Sequence, residues 1–233
     1  MVSEARIIEL HYRLEPELET WVLPEVSVPE SRPHDLTIEY LRALLAAWVA
    51  RSGRPAIVAR NLALRWVARH PQVGIDPDLC LIEPAPPDPD RLSSLCLWKP
   101  GHVAPRLAIE VVSESHPYKD YADVHEKYAA CGVPELWVLD PLRIGPKRFG
   151  GPFEIQIWQG DAGARFERVY QGAGPVRSVA LQAWLRSGGG KVSIADDEAG
   201  AQLWVTTEEA ARGETSELRE RVRELEAELA GRR

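Results

Sequence analysis

Residues 106–141, RLAIEVVSESHPYKDYADVHEKYAACGVPELWVLDP, leave this chain few folds to choose from. The apolar run over 107–112 reads as a strand, with Leu107, Ile109 and Val111 on one face and Ala108, Glu110 and Val112 on the other. The spacing then predicts a helix from about residue 119 to Cys131, stopped by Gly132 with Pro134 just beyond. A second apolar strand follows at 136–139 and ends at Asp140-Pro141. Strand, helix, strand is the pattern of a parallel crossover whose sheet is covered on both faces. Inside such a sheet Glu110 is anomalous, because an unpaired buried charge costs several kcal/mol, on the order of a whole domain's stability. Three partners would resolve it: a metal ion shared with a second acid, an arginine from the 60–69 region, or water at an edge strand.

A second acid stands upstream in Asp76-Pro77-Asp78, which opens the apolar run 79–82. Asp-Pro-Asp is also a strong turn signal, so Asp78 has a purely structural reading beside the metal-binding one. Two acids at strand starts or interiors, with Lys127 on the following helix, form a set suited to a divalent metal and a phosphodiester. Hard oxygen ligands suit Mg²⁺, held by one or two carboxylates together with substrate phosphate and water. Lys127 could steady a charged transition state, or be a solvated lysine paired with Asp123 one turn back. The histidines show no spacing typical of a metal site.

The residues Pro77-Asp78, the strand Ala108-Ile109-Glu110-Val111-Val112-Ser113, Asp120, and the phrase from Tyr128 through Gly132-Val133-Pro134-Glu135-Leu136-Trp137-Val138-Leu139-Asp140-Pro141 resemble the Uma-type restriction endonuclease family, a branch of the PD-(D/E)XK nuclease-like superfamily. Ser31-Arg32-Pro33-His34 ahead of a long amphipathic helix is similar to the family's opening motif, and the likeness runs from about residue 29 to 185. It implies an α/β (α+β) fold: a restriction-endonuclease-like core with a mixed β-sheet flanked by helices, to which this chain adds a C-terminal helix. It also implies a Mg²⁺-dependent (or Mn²⁺-dependent) endonuclease acting on DNA, with Asp78, Glu110 and the backbone carbonyl of Val111 as metal ligands and Lys127 as catalytic helper. Asp120 and Asp123 are possible supporting residues. Two departures stand out. The superfamily's lysine, two residues after the acid, falls at Val112, and the helix lysine that replaces it in this family falls at Val124, one turn before Lys127. A nuclease-like fold without catalysis, serving as a nucleic-acid or protein interaction module, is the alternative.

The net charge of −7 argues against nonspecific nucleic-acid binding. Most of it lies in the tail, where residues 196–233 carry −5 and leave the rest near neutral. Arg60, Arg65 and Arg69, with Arg143, Lys147 and Arg148, are candidates for a basic rim, or else ordinary solvated surface. Three cysteines without a Cys-x-x-Cys spacing read as buried thiols. No apolar run is long enough to span a membrane and the acidic N-terminus does not resemble a signal peptide, so a cytoplasmic protein is expected.

In chain order, residues 1–34 read as an N-terminal extension with β-prone pieces at 6–12 and 21–28. A helix at 36–51 with Asp35 as N-cap comes next, followed by β-prone runs at 56–58 and 62–67 suited to a meander. The Pro-rich segment between Glu83 and Arg106 reads either as a lid, whose Lys99 and His102 join Arg60 and Arg65 at a substrate rim, or as a crossover padding the core edge with Leu95 and Leu97. A hairpin is expected over 153–170. The domain layout expected is 1–187, then a linker at 188–213, then a helix at 214–233. Leu218, Val222, Leu225 and Leu229 give that helix a short heptad seam, which suggests a homodimer or, more weakly, a scaffold.

Overall fold

The structure, a computed structural model, describes residues 31–113, 124–145, 153–160 and 166–231. Helix α1 (Arg32–Ser52) leads into β1 (Ile57–Arg60), β2 (Ala63–Arg65), β3 (Gly74–Ile75), β4 (Leu79–Ile82), β5 (Ser94–Cys96) and β6 (Leu107–Val111). Helix α2 (Val124–Cys131) and β7 (Glu135–Leu139) complete the central crossover. Then come β8 (Ile155–Gln159), β9 (Glu167–Gly172), β10 (Val176–Arg177), β11 (Trp184–Gly188), β12 (Lys191–Ala195) and helix α3 (Thr207–Gly231). The main sheet has the order β1-β4-β6-β7-β8-β9. It is mixed: β6 and β7 run parallel, as a helical crossover demands, and their neighbours pair antiparallel.

Strand alternation sorts the core into two layers. Leu79, Leu81, Leu107, Ile109, Val111, Trp137 and Leu139 face α1 and the small sheet β10-β11-β12. Cys80, Ile82, Ala108, Leu136 and Val138 face α2 and a second small sheet, β3-β2-β5. Glu110 has the parity of Ala108 and so lies on the α2 side. Helix α1 turns Ile38, Leu41, Leu45 and Trp48 to the sheet at helical spacing and ends at Gly53, whose φ of 64° suits a residue without Cβ. Its N-cap is Ser31, with Pro33 in the first turn, so the helix begins four residues before the expected 36 and Asp35 lies inside it.

Other expectations are corrected by pairing that local sequence does not encode. The runs at 56–58 and 62–67 do not form a meander: β1 joins β4 in the main sheet, and β2 pairs with β3 and, in parallel, with β5. Of the two readings of the segment between Glu83 and Arg106, the padded crossover is the one that forms, with Leu95 fully buried and Glu83 pairing with Arg106 at 3.0 Å across the base of the loop. Residues 188–213, expected as a linker, hold β12 and the first turns of α3. Val192 and Ile194 join the core, and Trp204 stacks on Trp48 with ring centroids 5.4 Å apart. Helix α3 starts early because Thr206 and Glu209 form a reciprocal capping box, each side chain accepting the other's backbone N–H. The expected strands at 6–12 and 21–28 lie outside the described residues. Among the described residues no helix is long and apolar enough to cross a membrane.

Candidate active site

Strands β4 and β6 pair antiparallel, with Leu79 opposite Ile109 and Cys80 opposite Ala108. Extending that register by one residue sets Asp78 opposite Glu110, the position at which cross-strand side chains share a face. Asp78 is tied there, since its Oδ2 accepts the backbone N–H of Val111 at 2.7 Å. Glu110 is completely buried and its Oε1 accepts the Tyr128 hydroxyl at 2.5 Å. Tyr128 comes from α2 and is itself fully buried. Burial, then the Glu110 charge and hydrogen bond, then the Asp78 charge hold its phenol well above the ordinary value, so it remains a donor.

His34 enters from the first turn of α1, on the stripe that also carries Ile38 and Leu41. Its Nε2 lies 2.8 Å from the Val111 carbonyl oxygen and 3.5 Å from Asp78 Oδ2. One imidazole therefore touches two of the three groups expected to hold a metal. The sequence singled out His34 as part of a motif without giving it a place in the site. Tyr128, which opens the phrase that resembles the family, likewise had no place in the expected site. The available signal was a tyrosine on the apolar face of a helix, whose hydroxyl needs a partner once buried.

Lys127 is half-buried on α2, immediately before Tyr128. Val124 and Val112, the two positions at which the resemblance implied a lysine, are buried in the core layer on this side of the sheet. Asp120 and Asp123 lie outside the described residues, as do Lys147 and Arg148. The expected rim is dispersed. Arg60 is held by Asp35 and faces Glu39. Arg65 is buried, with its guanidinium 3.5 Å from Asp76, so it is a core residue and not part of a substrate rim. Its fate follows from Gly74, where only the missing Cβ leaves space for the arginine. His102 accepts the Cys96 backbone N–H through Nδ1, and Lys99 is exposed beside it.

The acids of the phrase 132–141 have structural work. Glu135, only 2% exposed, accepts five hydrogen bonds: from the Trp137 indole, the Gln159 amide, the Ser178 hydroxyl, and the backbone N–H groups of Val179 and Ala180. It fastens the turn between β10 and β11 to the main sheet. Asp140, also buried, accepts the N–H groups of Ile144 and Gly145 and shapes the turn after β7. Cys80, Cys96 and Cys131 are buried free thiols; burial pushes Cys80 and Cys131 up to about 12.

Among the described residues no group of three or more His, Cys, Asp and Glu side chains is arranged to hold a metal. The β4–β6 register brings two carboxylates to opposing positions beside a main-chain carbonyl, hard-oxygen donors of the kind Mg²⁺ and Mn²⁺ accept with water completing the shell. The donor chemistry fits such an ion, although Val111 O is engaged by His34.

No curated protein matches the chain. Among solved structures it is similar to one described as "a putative nuclease belonging to DUF820" from Anabaena variabilis ATCC 29413, at 13% identity and a TM-score of 0.44, covering 66% of this chain and 76% of that one. The family model Uma2, described as "Putative restriction endonuclease", matches residues 21–158, a span that includes α1, both acid-bearing strands, α2 and the phrase before Pro141. With more than half its length matched, the chain belongs to that nuclease family.

Proposed function

We propose that this chain is a Mg²⁺-dependent endonuclease that hydrolyses DNA phosphodiester bonds, with Asp78, Glu110 and the Val111 carbonyl as its metal-binding groups. The observation that carries the reading is the pairing of β4 with β6, which sets two buried acids opposite each other in a nuclease family. A bound divalent ion lowers the pKa of its water and offsets charge on the phosphoryl oxygens. The protein's part is positioning. The Val111 N–H fixes the Asp78 carboxylate, and the Tyr128 hydroxyl fixes that of Glu110. His34 braces the carbonyl side of the site. Lys127, one helical turn from the position of the family's lysine, supplies positive charge to the transition state.

A second reading, a nuclease fold that binds without cutting, is favoured by one observation: both lysine positions are occupied by core valines. One set of assays separates the two. Purified protein is incubated with plasmid, single-stranded DNA and RNA in Mn²⁺ or Mg²⁺, and metal binding is titrated by calorimetry. Metal-dependent DNA cleavage that disappears in Glu110→Gln is expected. Metal affinity untouched by both Asp78→Asn and Glu110→Gln removes the site assignment, and nucleic-acid binding without cleavage selects the second reading.

A further inference from the structure

Helix α3 leaves the body of the protein after its capping box and carries an apolar row into water. Leu218, Val222, Leu225 and Leu229 are 67%, 52%, 43% and 64% exposed, although their spacing of four, three and four residues places them on one face. Set in a heptad, Leu218 and Leu225 take position d, and Val222 and Leu229 take position a. Ala211 and Thr215 extend the same seam toward the N-terminus, so six layers span about 27 Å at a rise of about 1.5 Å per residue.

The charges beside the seam indicate what covers it. Position g holds Glu214, Arg221 and Glu228, while position e holds Arg212, Arg219 and Glu226. In a parallel, in-register pair each g residue meets the e residue five positions later on the other helix. Glu214 then faces Arg219, and Arg221 faces Glu226, each contact made twice by symmetry. An antiparallel pair can also match Arg221 with Glu228 and Arg219 with Glu226, but it uses only the four layers from 218 to 229 and strands Glu214. A β-branched residue at a central a position between leucines at d further favours two parallel strands. In the single chain Arg221 leans on Glu224 at 2.9 Å, an exposed pair too weak to withhold the arginine from a better-placed partner.

We propose that α3 is the self-association surface of this protein, closing two copies of the chain through a parallel, in-register, two-stranded coiled coil along Leu218, Val222, Leu225 and Leu229. The two bodies are thereby held at the same end of the seam. This inference stands apart from the proposed chemistry, because it is read out by mass and cross-linking rather than by cleavage.

The test is sedimentation equilibrium of the full chain from about 1 µM to about 1 mM, the range in which a short seam dissociates. A concentration-dependent shift from monomer to dimer is expected. Leu225→Glu should keep the chain monomeric with an unchanged circular dichroism spectrum from the body. Arg221→Glu should weaken the dimer at least tenfold, and Arg221→Glu with Glu226→Arg should restore it. Val222→Cys should form an intermolecular disulfide under mild oxidation, since in-register a positions face each other and the native thiols are buried. A monomer throughout the range overturns the proposal, as does a dimer that survives Leu225→Glu. A dimer lost in Leu225→Glu but not restored by the charge swap, or not cross-linked at residue 222, overturns the parallel arrangement.

Discussion

Glu135 lies within the phrase that most clearly marks the family, and its geometry predicts a role in stability rather than chemistry. Five donors converge on one buried carboxylate, and three of them belong to Trp137, Ser178 and Ala180, all buried. Val179 is 56% exposed and Gln159 half-buried, so their N–H groups can turn to water after truncation. Glu135→Ala thus leaves three buried donors without an acceptor, at about 1–3 kcal/mol each. Relaxation around the Ser178 hydroxyl reduces the total to about 4 kcal/mol, against a whole-domain stability of about 5–15 kcal/mol. Glu135→Gln keeps the shape but must aim its NH₂ at one side of the site. The cheaper orientation keeps the acceptor for Gln159, Val179 and Ala180 and opposes the new donor to the Trp137 indole N–H, for a loss of about 2–3 kcal/mol. Urea denaturation followed by tryptophan fluorescence and circular dichroism measures both variants. The expected order is wild type, then Gln, then Ala, with a Tm lowered by about 2–4 °C for each kcal/mol in a chain of this size. Mn²⁺ affinity in the folded Gln variant should equal that of wild type. A loss under about 1 kcal/mol in Glu135→Ala would refute the accounting, and a collapse of metal affinity in a folded Glu135→Gln would show that the acid serves the site.

Tyr128→Phe should cost about 1.5–3 kcal/mol, because it removes a donor from a buried carboxylate, and should cost less in a Glu110→Gln background. A double-mutant cycle by chemical denaturation checks this, and strict additivity would mean that the hydroxyl and the acid do not interact. The hydrogen bond from Arg54, with Arg106 alongside, holds the Glu83 carboxyl below its ordinary value. Its stabilising contribution is therefore complete above the unfolded value of about 4.3 and lost as pH falls through the lower, folded one. Glu83→Gln should be less stable than wild type at pH 7, with the gap closing in acid; a gap independent of pH contradicts the linkage. Thr206→Ala removes half of the capping box at the start of α3 and should lower helix content and stability by about 1 kcal/mol, read by far-ultraviolet circular dichroism during thermal melting. No loss of either would show that the helix is nucleated elsewhere.

Much of this protein was determined by local sequence. The alternation in 107–112 placed Glu110 among aliphatic neighbours and sorted its strand into two faces, as the two core layers show. Gly53 and Gly132 ended helices because their positive φ costs glycine nothing. A strand, a helix and a strand in that order required a parallel pair, which β6 and β7 form. Local periodicity extends over one element and no further. That Asp78 stands opposite Glu110, that His34 spans Asp78 and the Val111 carbonyl, and that Tyr128 reaches the inner acid all follow from register between segments 18 to 77 residues apart. The same holds for errors of reading: β1 and β2 entered different sheets, Arg65 closed on Asp76 instead of facing substrate, and the glycines at 188–190 led into another strand rather than a linker. Each was decided by which apolar faces could be covered together, a condition that exists only when the whole chain is packed.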